Sequence, residues 1–168
     1  MIYRATSDGV FLGPNWRTTC VLGRSGVVAS EAKREGDGAS PQGVWPIRRV
    51  MYREDRGPPP TTALPVSAIR PDDGWCDAPG DPCYNRPVTL PHSASAETLF
   101  RDDHVYDVIV VLGHNDDPVR DGMGSAIFLH LQRPERTPTE GCVALSRTDL
   151  DRLLAEAVIG DAIEIAEA

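Results

Sequence analysis

Long apolar runs are missing from this 168-residue sequence: none approaches the ~20 residues that a bilayer-spanning helix needs. No membrane partner is therefore expected. The start, MIYRATSDGVFLGPNW, also lacks the cationic residues and the apolar run of about 7–15 residues that make a secretory leader. A cytoplasmic location is expected on that ground, with the periplasm reached only by a route the sequence does not display. Basic clusters are absent too. The 17 Lys and Arg lie scattered among 25 Asp and Glu, giving a net charge of -8. Nucleic-acid binding needs clustered cations against phosphate and is not expected; the acidity serves solubility. Four cysteines make no disulfide scaffold in a chain of this length. Cys76 and Cys83 would pair only after export and are expected to be reduced.

What is present is turn chemistry. Gly 15 and Pro 15 separate short apolar segments, the pattern of many short strands in one domain, residues 1–168. Thr18–Leu22 and Val27–Ala29 flank a Gly-Arg-Ser-Gly turn and read as a hairpin. Val44–Tyr52 alternates as a half-buried strand, and Tyr106–Leu112 (YDVIVVL) is a β-branched run suited to a strand buried on both faces. Ser95–Arg101 reads as a short helix capped by Ser95. In Ser125–Leu131 a period of two puts Ala126, Phe128 and His130 on one face, and Ile127, Leu129 and Leu131 on the other. A capping box at Ser146 and Asp149 opens the clearest helix. Its stripe is Leu150, Leu153, Leu154, Ala157 and Val158, with Gly160 as the stop; Ile163 and Ile165 mark a last strand.

Chemistry concentrates at Cys142, in TPTEGCVAL, with His130 at 142 − 130 = 12 residues upstream. A free cysteine is most often a small buried hydrophobe. Paired with a histidine it becomes a nucleophile, because the imidazole takes the thiol proton and returns it to the leaving amine. A backbone N–H pair near Gly141 and Cys142 is expected to hold the oxyanion. Cys76, Cys83, His92 and His104 raise a zinc reading, but 83 − 76 = 7 does not match paired ligand spacing, so no metal and no cofactor is expected.

The segment GSAIFLHLQRPERTPTEGCVALSRTDLDRLL resembles the catalytic segment of the YkuD-like L,D-transpeptidases. There a histidine at a strand end precedes a Ser/Thr-x-Gly-Cys motif, matched here by Thr139-Glu140-Gly141-Cys142. KREGDGASPQGVWPI, from Lys33 to Ile47, is similar to the family's substrate-side signature, and YDVIVVLGHNDDP to the strand and loop before its histidine. The resemblance implies a mainly β, sandwich-like domain of mixed sheets with one or two helices. It also implies a cysteine-dependent enzyme acting on peptidoglycan stem tetrapeptides through a Cys142 thioester, with His130 as base. Leu131 would orient that histidine through its carbonyl, and carbapenems would be covalent inhibitors. Tyr84 and Asn85, in a segment similar to one in shorter members, are candidates to reach the substrate; the plain reading is a turn before Val88. His114 is a candidate for the cleft wall, against the plain reading of a loop histidine satisfied by water.

Two positions depart from the family pattern. Glu140 stands where His is usual, and Ala144 where Arg would hold a substrate carboxylate bidentately. Arg147, Arg136 and Arg133 are candidates for that anchor, each set against the plain reading of a solvated surface charge. Read with the missing leader, the resemblance leads to an L,D-carboxypeptidase trimming soluble muropeptides with water as acceptor. Transpeptidation is the alternative, and a peptidoglycan-binding module without turnover the weaker one, since binding alone has no need of both Cys142 and His130.

Overall fold

The β-branched and alternating segments become strands in the computed structural model, which describes residues 1–168. In chain order they are β1 (Ile2–Thr6), β2 (Val10–Leu12), β3 (Arg17–Thr19), β4 (Val27–Val28), β5 (Ser40–Pro41), β6 (Gly43–Tyr52) and β7 (Val66–Ala68). There follow β8 (Asp73–Cys76), β9 (Pro87–Thr89), β10 (Ala96–Thr98), β11 (Val108–Leu112), β12 (Phe128–Leu131) and β13 (Val143–Leu145). Helix α1 (Arg147–Glu156) and strand β14 (Ala162–Ala166) complete the chain. A mixed sheet runs β13-β12-β11-β6-β14-β1-β2-β3, with β7 also on β6; β10-β8-β9 form a small second sheet. The fold is thus mainly β, with mixed sheets and one helix.

Strand β6 joins the two halves of the large sheet. It pairs with β11 from Ile47 to Tyr52 and with β14 from Gly43 to Pro46. Side-chain alternation on β11 and β12 then feeds two cores. Val108, Val110, Leu112, Leu129 and Leu131 face a core closed by Leu150, Leu153 and Leu154 of α1. Full burial of each such leucine is worth about 1.5–3 kcal/mol, which holds the helix on that face. Ile109, Val111 and Phe128 face a second core that includes Trp75, Leu99 and Cys142. The thiol therefore sits on the face opposite the helix, under the small sheet.

Three expectations need correction. The Gly23–Gly26 turn forms, but no hairpin does. Val21 and Gly23 instead bridge to Ala144 and Thr139, and β4 pairs with β5. Burying Cys20, Val21 and Leu22 against the segment around Cys142 outweighs local pairing. Ala96–Thr98 is a strand on β8 rather than a helix; of residues 95–101 only Leu99 is fully buried, so no helical stripe exists to bury. Val158 is 49% exposed, because the helix ends at Glu156 and Ala157 is already extended. The cap at Ser146 does form, its hydroxyl accepting from the Asp149 N–H.

Candidate active site

Strands β12 and β13 run parallel, with Leu129 opposite Val143 and His130 opposite Ala144. Cys142 immediately precedes β13 and so lies beside Phe128, two residues before His130. A period of two puts Cys142, Phe128 and His130 on one face, with about 7 Å of strand rise between the levels of thiol and imidazole. No hydrogen bond joins them. The Cys142 Sγ donates to the Ala126 carbonyl at 3.2 Å and accepts from the Phe128 N–H at 3.4 Å. Proton transfer to His130 therefore begins by breaking the Sγ–Ala126 contact.

Both groups are buried, and burial sets their charge. The Cys142 thiol is pushed up to about 12 by burial, with the negative charge of Glu97 adding to the effect. Burial pushes His130 down to about 4; the Leu131 carbonyl opposes that shift, while Arg101 and Arg133 reinforce it. The resting pair is a neutral thiol and a neutral imidazole rather than an ion pair. His130 Nδ1 bonds the Leu131 carbonyl at 2.9 Å. A carbonyl only accepts, so Nδ1 carries the hydrogen and Nε2 is left with the lone pair a base requires.

Gly141 has φ +137, and a Cβ there would fall 2.8 Å from the Ala39 carbonyl oxygen, so both conformation and space demand glycine. The Gly141 N–H is taken by Thr139 Oγ1 at 3.1 Å, and the Thr139 hydroxyl donates to the Cys142 carbonyl at 2.7 Å. The Cys142 N–H has no internal partner and is the donor left for an oxyanion. Glu140 points away: its side chain is 77% exposed and pairs with Arg24 at 3.0 Å. The carboxylate that acts on the thiol is Glu97, on β10.

Tyr84 and Asn85 form the frame beneath the thiol. Asn85 is 4% exposed with φ 54. Its Oδ1 accepts from Trp75 Nε1 at 2.9 Å and from the Ala126 N–H at 3.0 Å. Its Nδ2 donates to the carbonyls of His114 at 3.1 Å and Asn115 at 2.7 Å. That fixes Ala126, itself at φ 52, whose carbonyl holds the thiol. The Tyr84 hydroxyl donates to Glu35 and accepts from the Gly124 N–H at 2.9 Å. Truncating Asn85 to Ala leaves several buried polar groups unpaired at about 1–3 kcal/mol each. Asn85→Ala is expected to lose about 3 kcal/mol of stability in urea titration and to lower turnover in the fraction still folded. A melt indistinguishable from wild type would disprove this framing role.

The remaining candidates divide among separate cavities. His130, Leu131, Thr139, Glu140 and Ala144 line one of about 180 Å³, together with Arg101 and Arg133. Arg147 lines an adjoining space of about 390 Å³ that shares Leu131 and Arg133, and pairs with Asp151 at 2.9 Å. His114 and Asn85 line a third, of about 240 Å³, with Trp75 and Phe128. His114 is buried and held near 4 by that burial; its Nε2 meets the Met123 carbonyl at 3.1 Å. Arg136 bonds Thr19 Oγ1 at 2.7 Å, outside the His130 cavity.

The sequence reading missed Glu97, Arg101 and Lys33. Lys33 is the only lysine in the chain, is 2% exposed, and pairs with Asp37, which in turn caps the Ala39 N–H at 2.9 Å. Its being unique was a visible signal. Glu97 and Arg101 gave none, since both fell in a segment read as a short helix.

Against known proteins, the model of the YkuD family, described as the L,D-transpeptidase catalytic domain, matches residues 3–165. Among solved structures, L,D-transpeptidase 1 of Mycobacterium tuberculosis is similar, at 14% identity and a TM-score of 0.43, over 98% of this chain and 60% of that one. The chain thus spans less than two thirds of that protein's length. No curated protein matches. With nearly its whole length matched, from Tyr3 to Ile165, the chain belongs to the L,D-transpeptidase catalytic-domain family.

Proposed function

We propose that this protein cleaves the L,D bond before the terminal D-alanine of peptidoglycan stem tetrapeptides, as an L,D-carboxypeptidase trimming soluble muropeptides in cytoplasmic recycling. The observation that carries the reading is the buried pair Cys142 and His130, on one sheet face, with the imidazole tautomer set by Leu131. Cys142 Sγ attacks the carbonyl of the third stem residue as its proton passes to His130 Nε2. The oxyanion meets the Cys142 N–H. Collapse expels D-alanine, whose amine takes the proton from His130. Water, deprotonated by the same nitrogen, then resolves the thioester and restores the thiol.

Water as acceptor is supported by the confined site: Cys142 is 8% exposed and the cavity holding His130 is about 180 Å³. Arg133 and Arg101 in that cavity take the anchoring place that Ala144 leaves vacant. Arg133 keeps net positive charge there, because the single carboxylate of Asp103 is shared with Arg101. Carbapenems present a strained and more electrophilic carbonyl to the same thiol and should acylate it.

A second reading has an amine as acceptor, in cross-linking or D-amino-acid exchange. The negative charge of Glu97, acting at the Cys142 thiol, favours it, since that charge suits an ammonium. Incubation with a disaccharide-tetrapeptide and a free D-amino acid, followed by mass spectrometry, separates the two. Tripeptide alone supports the carboxypeptidase. A tetrapeptide carrying the added D-amino acid moves the protein to the transpeptidases and its substrate to the wall. Neither product, with substrate still retained on the protein, would leave only a binding module.

A further inference from the structure

Away from the dyad, three side chains that no step above uses converge on one point. Cys76 ends β8, Asp81 sits in the turn that follows, and His92 lies just beyond β9. The Cys76 sulfur, an Asp81 carboxylate oxygen and a His92 ring nitrogen all lie within 4.8 Å of one another. His92 Nε2 is 3.4 Å from Asp81 Oδ2. Ligands bound to a tetrahedral divalent ion at about 2.0–2.3 Å stand about 3.3–3.8 Å apart, so these donors need only small shifts to close on one.

Each donor is already oriented. Asp81 Oδ1 accepts the Cys83 N–H at 2.7 Å, which leaves Oδ2 turned to His92. Apart from its 3.4 Å approach to Asp81 Oδ2, His92 Nε2 is buried without a hydrogen-bond partner. Buried polar atoms of this kind are costly unless something satisfies them. Cys76 is fully buried beside them. A thiolate, an imidazole and a carboxylate form a set that favours zinc or cobalt over magnesium or calcium.

We infer that Cys76, Asp81 and His92 form a zinc-class divalent metal site, with a fourth position open to water. Binding displaces the Cys76 thiol proton, so each metal ion taken up as M²⁺ releases one H⁺ from sulfur. Cys83, seven residues from Cys76, contributes its amide to Asp81 rather than its sulfur, so the set shows no paired-cysteine spacing. His104 pairs with Asp107 elsewhere. The metal would tie β8 to the chain beyond β9. It would thereby brace Trp75, whose ring stands edge-on to Phe128 at 5.0 Å.

The test is titration of the full-length, chelator-dialysed protein with Co²⁺ alone, read by the near-ultraviolet thiolate-to-cobalt charge-transfer band. One equivalent should develop the band, and Zn²⁺ should displace it. Cys76→Ser should lose the band and His92→Ala should lose tight binding, while Cys142→Ala keeps both. No band in the wild type would overturn the site. So would a band that survives Cys76→Ser, or one that disappears in Cys142→Ala. If Cys76→Ser fails to fold, His92→Ala decides alone: binding as tight as wild type refutes the assignment.

Discussion

Cys142→Ala is expected to stop tripeptide release, with a loss on the order of 10⁵–10⁶-fold, the scale seen when an acyl-transfer enzyme loses its nucleophile. The fold should survive. The substitution removes one sulfur and its weak bonds to the Ala126 carbonyl and the Phe128 N–H, at about 1–3 kcal/mol for each backbone group left unpaired, short of unfolding the domain. Activity by mass spectrometry and a thermal melt on the same sample separate the two effects. A carbapenem should add its mass to the wild type and leave the variant unchanged. Retained turnover in the variant would end the nucleophile assignment, and an adduct on the variant would place the reactive thiol elsewhere. Cys20 and Cys76, the other buried thiols, are then the controls to examine.

His130→Ala should lower the rate by about 10²–10⁴-fold, the contribution of a positioned base. The wild-type pH profile should carry the signature of the same residue. Burial holds His130 at about 4, so the acidic limb of turnover should lie there rather than near 6.5. A limb at 6.5 would mean that the reacting imidazole is solvated, or is not His130. Stability follows the same shift. Between about 4 and 6.5 the unfolded chain binds a proton at this residue that the folded chain refuses, so stability is complete above 6.5 and drains away as pH falls toward 4. His114, also held near 4, acts in the same direction. Each contributes about 3 kcal/mol across that window. Glu97, held above the ordinary carboxylate range by burial, offsets part of the loss, because its folded form takes up a proton first. Urea midpoints measured from pH 7 to 5 should therefore decline, and a flat series would contradict the burial of both imidazoles.

The strands that carry the dyad were legible because their signals are local. YDVIVVL carries four consecutive β-branched residues, Val108 to Val111, and its Val108–Leu112 stretch is buried on both faces as β11. The alternation in SAIFLHL assigned Phe128 and His130 to the face that Cys142 shares, although regular pairing begins only at Phe128, since Ala126 adopts φ 52. Legibility failed where long-range pairing overrode a local pattern. Residues 18–29 looked like a hairpin, yet Cys20, Val21 and Leu22 are buried and Val21 and Gly23 bridge to Ala144 and Thr139, more than a hundred residues away. Residues 95–101 carried a capping serine and no apolar stripe, and β8 recruited them as a strand. That error hid Glu97, whose charge reaches the thiol. Asn85 showed the opposite failure: a polar residue in a turn reads as a surface group, and nothing local announces four buried partners.

Strand β14 lies between β6 and β1, pairing with β1 in parallel from Ile2–Ala162 to Thr6–Ala166 and with β6 antiparallel. Strand β1 thus waits for β14, synthesised long after it, before the two halves of the sheet can join. Until then β1 and the Gly43–Pro46 stretch of β6 each present an unpaired edge. The nucleophile is synthesised before this closure, while the platform that fixes it is still open on one side. Slow, non-local assembly of this kind favours a chaperone-guarded nascent chain, and it makes β14, remote from any chemistry, the element on which the integrity of the whole sheet depends.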